Sequence, residues 1–311
     1  MKLFDSHGHV HALMLLAIIL VASSFPVGSA IANELPPAVM MFIRFLMAAL
    51  MFLPIVIAKY GLILPTTNSL LRYIFLSAPL VAFFWCMFEG LRYTSVLNTG
   101  ALYTLVPAIT ATCAFIINKE RTGLLRMSGL LLGTFGALWI VFRGSLASFV
   151  GLDLNYGDLV FLAGCLFMGM YSPFFKRFYD GEPMLVMTFW ILLSGSAWLL
   201  FLSITSITHV DWANVKSDVY LGVVYLSLFS TLITFFIMNY STVRIGATKV
   251  SAYSLLTPLF VISMSILVGI DSFELIILPG IIFILAALIF IQRDDKHIST
   301  EIEKERYNVC D

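Results

Sequence analysis

The chain has 311 residues, of which 60% are hydrophobic and only 12% charged, with a mean hydropathy of +0.98. Soluble domains carry about 25% charged residues, so this composition is that of a membrane protein. Eighteen basic and eighteen acidic side chains cancel, which leaves no overall field to attract nucleic acid.

The chain opens on a short tail, residues 1–11, containing "HGHVH". Three alternating histidines (His7, His9, His11) with no other ligand nearby in sequence read as a solvated tract, and no metal site is expected. Ten helical spans follow, since about 20 apolar residues cross a bilayer. They are expected at 12–32, 38–58, 71–90, 98–117, 124–143, 158–175, 184–204, 219–240, 249–269 and 275–292. Span 1 resembles a signal peptide in having Lys2 ahead and "GSAIA" behind. The many later spans, and a partner segment further on, point instead to a retained helix. Span 2 contains "MMFIRFLMAALMFLP" (40–54), in which Arg44 stands alone in an apolar run. At mid-membrane an arginine costs roughly 3 kcal/mol or more and needs a stabilising partner. Span 2 descends from the outside as span 3 rises toward it, so Glu89 is the nearest acid in depth. Arg44 and Glu89 are therefore expected to form an ion pair or gate at the outer mouth, directly or through water, in at least one transport state. Glu89 is also the one plausible proton carrier. Of the four cysteines, Cys86, Cys113 and Cys165 fall in apolar runs and Cys310 in the tail 293–311, which suggests neither disulfides nor a metal cluster.

Orientation follows from the cations. With the N-terminus inside, the cytoplasmic segments hold Lys2, Lys59, Arg72, Lys119, Arg121, Arg126, Lys176, Arg177, Arg244, Lys249, Arg293, Lys296, Lys304 and Arg306. Only Arg92, Arg143 and Lys216 lie outside, so both termini are expected in the cytoplasm.

Internal repetition is the most informative feature. "TLVPAITATCAFIINKERTG" (104–123), shifted by 151, falls on "LLTPLFVISMSILVGIDSFE", which matches Pro107 with Pro258 and Glu120 with Asp271. A shift of 147 matches Pro26 with Pro173 and Pro36 with Pro183. The chain therefore divides into a five-helix repeat at 12–146 and a second at 157–292. Five is odd, so the halves run in opposite senses, a recurrent plan of secondary transporters with the substrate site between the halves. The fold class is an all-α polytopic membrane protein of ten helices, two inverted five-helix repeats around a central cavity.

"FIRF" in span 2, "EGLRYTS" after span 3, a Tyr–Pro span 4 followed by "NKE", and "GDLVFLAGCLFMGMYSPFFKR" in span 6 resemble the EamA-like branch of the drug/metabolite transporter superfamily. Where that family often has a Trp-Gly pair, this chain reads "ASSFP" (22–26). The resemblance implies export of amino acids, other metabolites or toxic compounds from a bacterial inner membrane. Its alternative cargo is nucleotide-linked, such as nucleotide sugars or S-adenosylmethionine. Phosphates would need several cations in the cavity, and Arg44 and Lys249 are the only ones near.

The expected cavity residues are Trp85, Glu89, Asn98, Thr99, Tyr103, Tyr171, Ser227, Thr231, Ser251, Tyr253 and Ser254. Facing hydroxyls are commonly interhelical glue, but beside paired prolines they suit a path. Pro26, Pro107, Pro173 and Pro258 are the expected helix-kink positions, where freed carbonyls are tolerated facing protein or water. Spans 5 and 10 are expected at the periphery, where a homodimer would form. No catalytic set, cofactor or nucleotide-binding loop of the GxxxxGK[ST] type is present, so an enzyme or ATP-driven pump is not expected. The partners expected are a small-molecule substrate and the lipid bilayer.

Overall fold

The computed structural model describes residues 7–61, 63–94, 96–120, 123–145, 154–267 and 275–293. Asp271, Cys310, residues 1–6 and the tail beyond 293 lie outside the described residues, as do the side chains of His7 and Ser265. Ten helices are long and apolar enough to cross a membrane: His9–Ile31, Pro37–Tyr60, Thr67–Leu91, Asn98–Asn118, Leu124–Val141, Tyr156–Phe178, Met184–Ile207, Ser217–Ile245, Ala247–Met264 and Leu275–Gln292. These are spans 1 to 10 below. No strand occurs among the described residues. Large apolar side chains such as Leu50, Leu131, Phe201, Leu221 and Ile282 are exposed along the outer faces of the bundle. Such surface would be costly in water, and in a bilayer it is the natural lipid contact.

The packing follows a two-fold pattern. Counting five helices per half makes span 1 equivalent to 6, 2 to 7, 3 to 8, 4 to 9 and 5 to 10. Span 2 packs on 7, span 4 on 9 and span 5 on 10, which are self-paired contacts. Span 3 packs on 6 as span 8 packs on 1, and span 4 on 6 as span 9 on 1. Each of these contacts has its mate under exchange of the halves, and an odd number of crossings per half inverts one against the other.

Small residues permit the closest approaches, as expected where lipid supplies no hydrophobic drive. A Cβ on Gly136 would lie 2.8 Å from the Gly280 carbonyl, and one on Gly280 would lie 2.6 Å from the Gly136 carbonyl. Spans 5 and 10 therefore meet backbone to backbone and touch the rest of the bundle sparingly. Gly164 likewise sits where a Cβ would come within 2.8 Å of Cys86, joining spans 6 and 3.

Span 10 opens on a 3₁₀ turn at Leu275–Ile277, and three other spans depart from regular α-helix within their length. Span 4 runs helical over Val96–Tyr103, turns at residues 104–105 and resumes as Val106–Asn118. Span 9 is Ala247–Ala252, a 3₁₀ turn at Tyr253–Leu256, and then Thr257–Leu267. The two interruptions stand just ahead of Pro107 and Pro258, whose missing N–H groups and fixed φ disfavour a continuous ladder. Pro26 and Pro173, by contrast, lie inside helices that run through them. Span 8 contains a π-helical turn at Leu228–Ile233, a widening that often marks a functional stretch.

Candidate functional site

The broken spans pack on each other and on spans 6 and 1 at the interface of the halves. Beside the span 4 break lies a void of about 20 Å³ lined by Val21, Ser24, Phe25, Phe83, Phe84, Met87, Tyr103, Met168, Ser230, Thr234, Phe235 and Met238. These residues come from spans 1, 3, 4, 6 and 8. The void has room for roughly one water molecule, so the centre is shut in this conformation. Its wall is aromatic and Met-rich: Tyr103 meets Phe25 at 5.6 Å and Phe83 at 6.1 Å between ring centres. Methionines supply adaptable surface.

Arg44 stands against this wall and is completely buried. Its Nε donates to Thr231 Oγ1 at 2.6 Å, and Nη2 lies 3.3 Å from Ser230 Oγ and 3.4 Å from the Ser230 carbonyl. Both acceptors belong to the π-turn of span 8, and Thr231 was expected in the cavity rather than as a partner of Arg44. The Phe84 ring covers the guanidinium, 4.5 Å from its carbon. Arg44 Nη1 is buried without a hydrogen-bond partner.

The expected Arg44–Glu89 pair is not formed in this conformation. Glu89 instead takes Arg92, three residues on, at 3.2 Å. A neighbour one turn away satisfies the carboxylate without leaving the helix end. Equal depth does not place two side chains on facing sides, and Arg44 faces span 8. Glu89 thereby also loses its isolation as a proton carrier.

Trp85 is a second correction: it is 36% exposed and does not line the void. Phe83, Phe84 and Met87 occupy the inward face of span 3, and successive helical positions lie about 100° apart. Tyr103 does line the void and is buried. Tyr171 is buried one layer behind it, with its hydroxyl donating to Asn239 Oδ1 at 3.0 Å and its ring edge-on to Phe235. Asn239 Nδ2 in turn donates to Thr188 Oγ1 at 3.2 Å, linking spans 6, 8 and 7. Thr99 is fully buried. Ser227 and Ser251 donate to carbonyls of their own helices, those of Val223 and Thr248, which is local back-bonding. Ser254 Oγ and Thr257 Oγ1, in and just after the span 9 break, are buried with no partner, so neither acts as interhelical glue.

Both ends of the centre are bridged. On the face carrying the N-terminus, Lys176 Nζ meets Glu120 Oε1 at 2.7 Å, tying the ends of spans 6 and 4 beside Gly246. On that same face, His11 Nδ1 hydrogen-bonds the Tyr253 hydroxyl. The histidine tract was expected in solvent. Span 1 begins earlier than its apolar run, which draws His11 into the helix and against the span 9 break.

On the opposite face, Asp158 is fully buried in the first turn of span 6. Its Oδ2 accepts from the Asn155 N–H at 2.9 Å while Asn155 Oδ1 accepts from the Asp158 N–H at 3.0 Å, a reciprocal cap. It also accepts from the Thr94 hydroxyl and, at 3.2 Å, from Asn98 Nδ2. Asn98, expected in the cavity, thus fastens the start of span 4 to span 6. The sequence signal for Asp158 is the spacing Asn155-x-x-Asp158 ahead of an apolar run. Phe84 and Ser230 carry no such signal. Lys216 pairs with Glu34 at 2.7 Å between the start of span 8 and the end of span 1.

Among the described residues, no group of three or more His, Cys, Asp or Glu is placed to hold a metal ion. The arrangement offers one buried guanidinium, free hydroxyls and an aromatic wall: a recognition surface.

Residues 10–142 and 155–293 each match the EamA-like transporter family. An uncharacterized transporter of Bacillus subtilis, YyaM, is 27% identical over 183 residues, 58% of this chain and 60% of that protein. An uncharacterized transporter of Archaeoglobus fulgidus is 23% identical over 254 residues, covering 80% of this chain and 86% of that one. A solved crystal structure shares the fold with a TM-score of 0.73 at 16% identity, covering 93% of this chain and 99% of the other.

Proposed function

Taking as premise that this chain belongs to the EamA-like transporter family, we propose that it is a secondary transporter. It exports small polar or amphipathic metabolites, amino-acid-like, or toxic compounds, by alternating access across a bacterial inner membrane, with both termini cytoplasmic. The observation that supports this reading best is the pair of interrupted spans, 4 and 9, at equivalent positions of inverted halves, with Tyr103 at the span 4 break lining a small void where the halves meet. Interrupted backbone within a membrane span is costly in lipid and is tolerated where it faces protein or borders a path.

Bridges on both faces suit an occluded state. The Lys176–Glu120 and His11–Tyr253 contacts shut the cytoplasmic side, and the Asp158 cluster and Lys216–Glu34 pair shut the outer side. Alternating access follows if the halves rock about the two-fold and exchange which set is broken. The cytoplasmic excess of Lys and Arg supports the stated orientation. With no nucleotide-binding loop in the sequence, the gradient of substrate or a coupled ion supplies the energy.

The test is flux. Purified protein in liposomes loaded with a panel of radiolabelled amino acids and their amides should release at least one faster than protein-free liposomes. Release should be saturable and should need no ATP. Flux equal to protein-free liposomes for the whole panel counts against the cargo class.

A further inference from the structure

We propose that Arg44 is a substrate-binding residue whose free Nη1 receives the carboxylate of an organic monoanion with an apolar or aromatic body. The inference rests on the transporter reading above and names its cargo.

A buried cation must be compensated, because desolvation of a guanidinium costs several kcal/mol that hydroxyls recover only in part. Arg44 is wholly buried, yet its polar and ring contacts are to neutral groups: Thr231, Ser230 and the Phe84 ring. The carboxylates that form ion pairs among the described residues have other cations: Glu34 with Lys216, Glu89 with Arg92, Glu120 with Lys176 and Asp180 with Arg72. Asp158 is held by the Asn155 N–H, Thr94 and Asn98. Arg44 is therefore an anion receptor whose counter-charge no carboxylate among the described residues supplies.

The geometry divides the guanidinium. Its Nε and Nη2 are held by the π-turn of span 8, which fixes the plane of the group. Nη1 keeps both N–H donors unused. With Nε and Nη2 fixed by span 8, the planar group aims the two Nη1 N–H donors in set directions, where a carboxylate can accept once Phe84 moves aside. Phe84 and Ser230, which touch Arg44, also line the void, so the cation stands one side chain behind it. Rotation of Phe84 would bring the two together when the void enlarges.

The wall selects the rest of the ligand. Phe25, Phe83, Phe84, Phe235 and Met87 offer an apolar bed, and no carboxylate is among the lining residues. A single cation balances a monoanion, whereas a phosphate dianion would remain half-compensated. An amino group on the cargo is compatible, since aromatic faces accept ammonium, but the carboxylate is the recognised element.

The experiment reads the thermal unfolding midpoint of purified protein in detergent at constant ionic strength. Phenylacetate, isovalerate and acetate are titrated against phenylacetamide, isovaleramide, chloride and inorganic phosphate. Phenylacetate or isovalerate should raise the midpoint saturably, with its amide, chloride and phosphate inert. Arg44→Gln should abolish the response. Arg44→Lys keeps the charge but loses the fork and should need about tenfold more acid. Equal response to acid and amide, a response retained in Arg44→Gln, or none to any of the three acids overturns the proposal. If Arg44→Gln does not fold, the acid–amide comparison and Arg44→Lys decide. Flux of the same pairs separates the two readings. Amide flux without preference for the acid overturns the role of Arg44 and leaves the transporter standing. Acid binding with no flux of either does the reverse.

Discussion

Asp158→Ala should destabilise the protein by about 3 kcal/mol, at about 1 kcal/mol for each of three donors deprived of an acceptor. The donors are the Asn155 N–H, the Thr94 hydroxyl and Asn98 Nδ2. Relief of the buried carboxylate's own desolvation offsets part of the loss, so Asp158→Asn, which keeps an acceptor, should cost about half as much. Asn98→Ala removes one bond of the cluster and should cost about 1 kcal/mol. Because the residues share one network, the Asp158→Ala/Asn98→Ala double variant should be milder than the sum of the singles by about 0.5 kcal/mol or more. The assay is denaturant or thermal unfolding in detergent, followed by tryptophan fluorescence. A loss below about 0.5 kcal/mol for Asp158→Ala, or strict additivity, would refute the reasoning. It would mean that the start of span 4 is held by packing alone.

Gly136→Ala should destabilise by about 1–3 kcal/mol, since the added methyl meets backbone of span 10 that cannot step aside; unfolding in detergent measures it. On the outer face, the hydrogen bond from Lys216 to Glu34 and the charge of that carboxylate raise the lysine pKa above its ordinary value. A raised lysine pKa means the contact is present below the usual lysine range and is lost as pH rises through the elevated value. Competitive acetylation of Lys216 against pH should show this, and Glu34→Gln should move the titration downward.

All ten spans were legible in the sequence because a 20-residue apolar run is a long, strong signal. Of the four expected kink positions, Pro107 and Pro258 stand just after breaks while Pro26 and Pro173 lie inside continuous helices, so a repeated proline alone did not tell which helix would be interrupted. What failed depended on rotation about helix axes. Depth alone brought Arg44 to Glu89, but Arg44 faces the π-turn of span 8, and nothing in "LFSTLI" announces that turn. Trp85 was expected in the cavity, whereas the inward face of span 3 belongs to Phe83, Phe84 and Met87. His11 was assigned to solvent because polar residues ahead of an apolar run seldom signal a helix that begins early. The size of the void was not legible at all, because a pattern of polar faces is the same in open and closed states.

Alternating access is tested most directly at the void itself. Ser24 lines it and is buried, and Ser24→Cys is a near-isosteric probe once Cys86, Cys113, Cys165 and Cys310 are replaced. A membrane-impermeant maleimide applied to oriented vesicles, from one side and then from the other in separate reactions, reads its exposure. If the halves rock about the two-fold, the cysteine is labelled from both sides, and a cross-link locking span 1 to span 8 on the outer face abolishes outside labelling alone. Labelling from neither side, or from one side whatever the cross-link, would contradict the account.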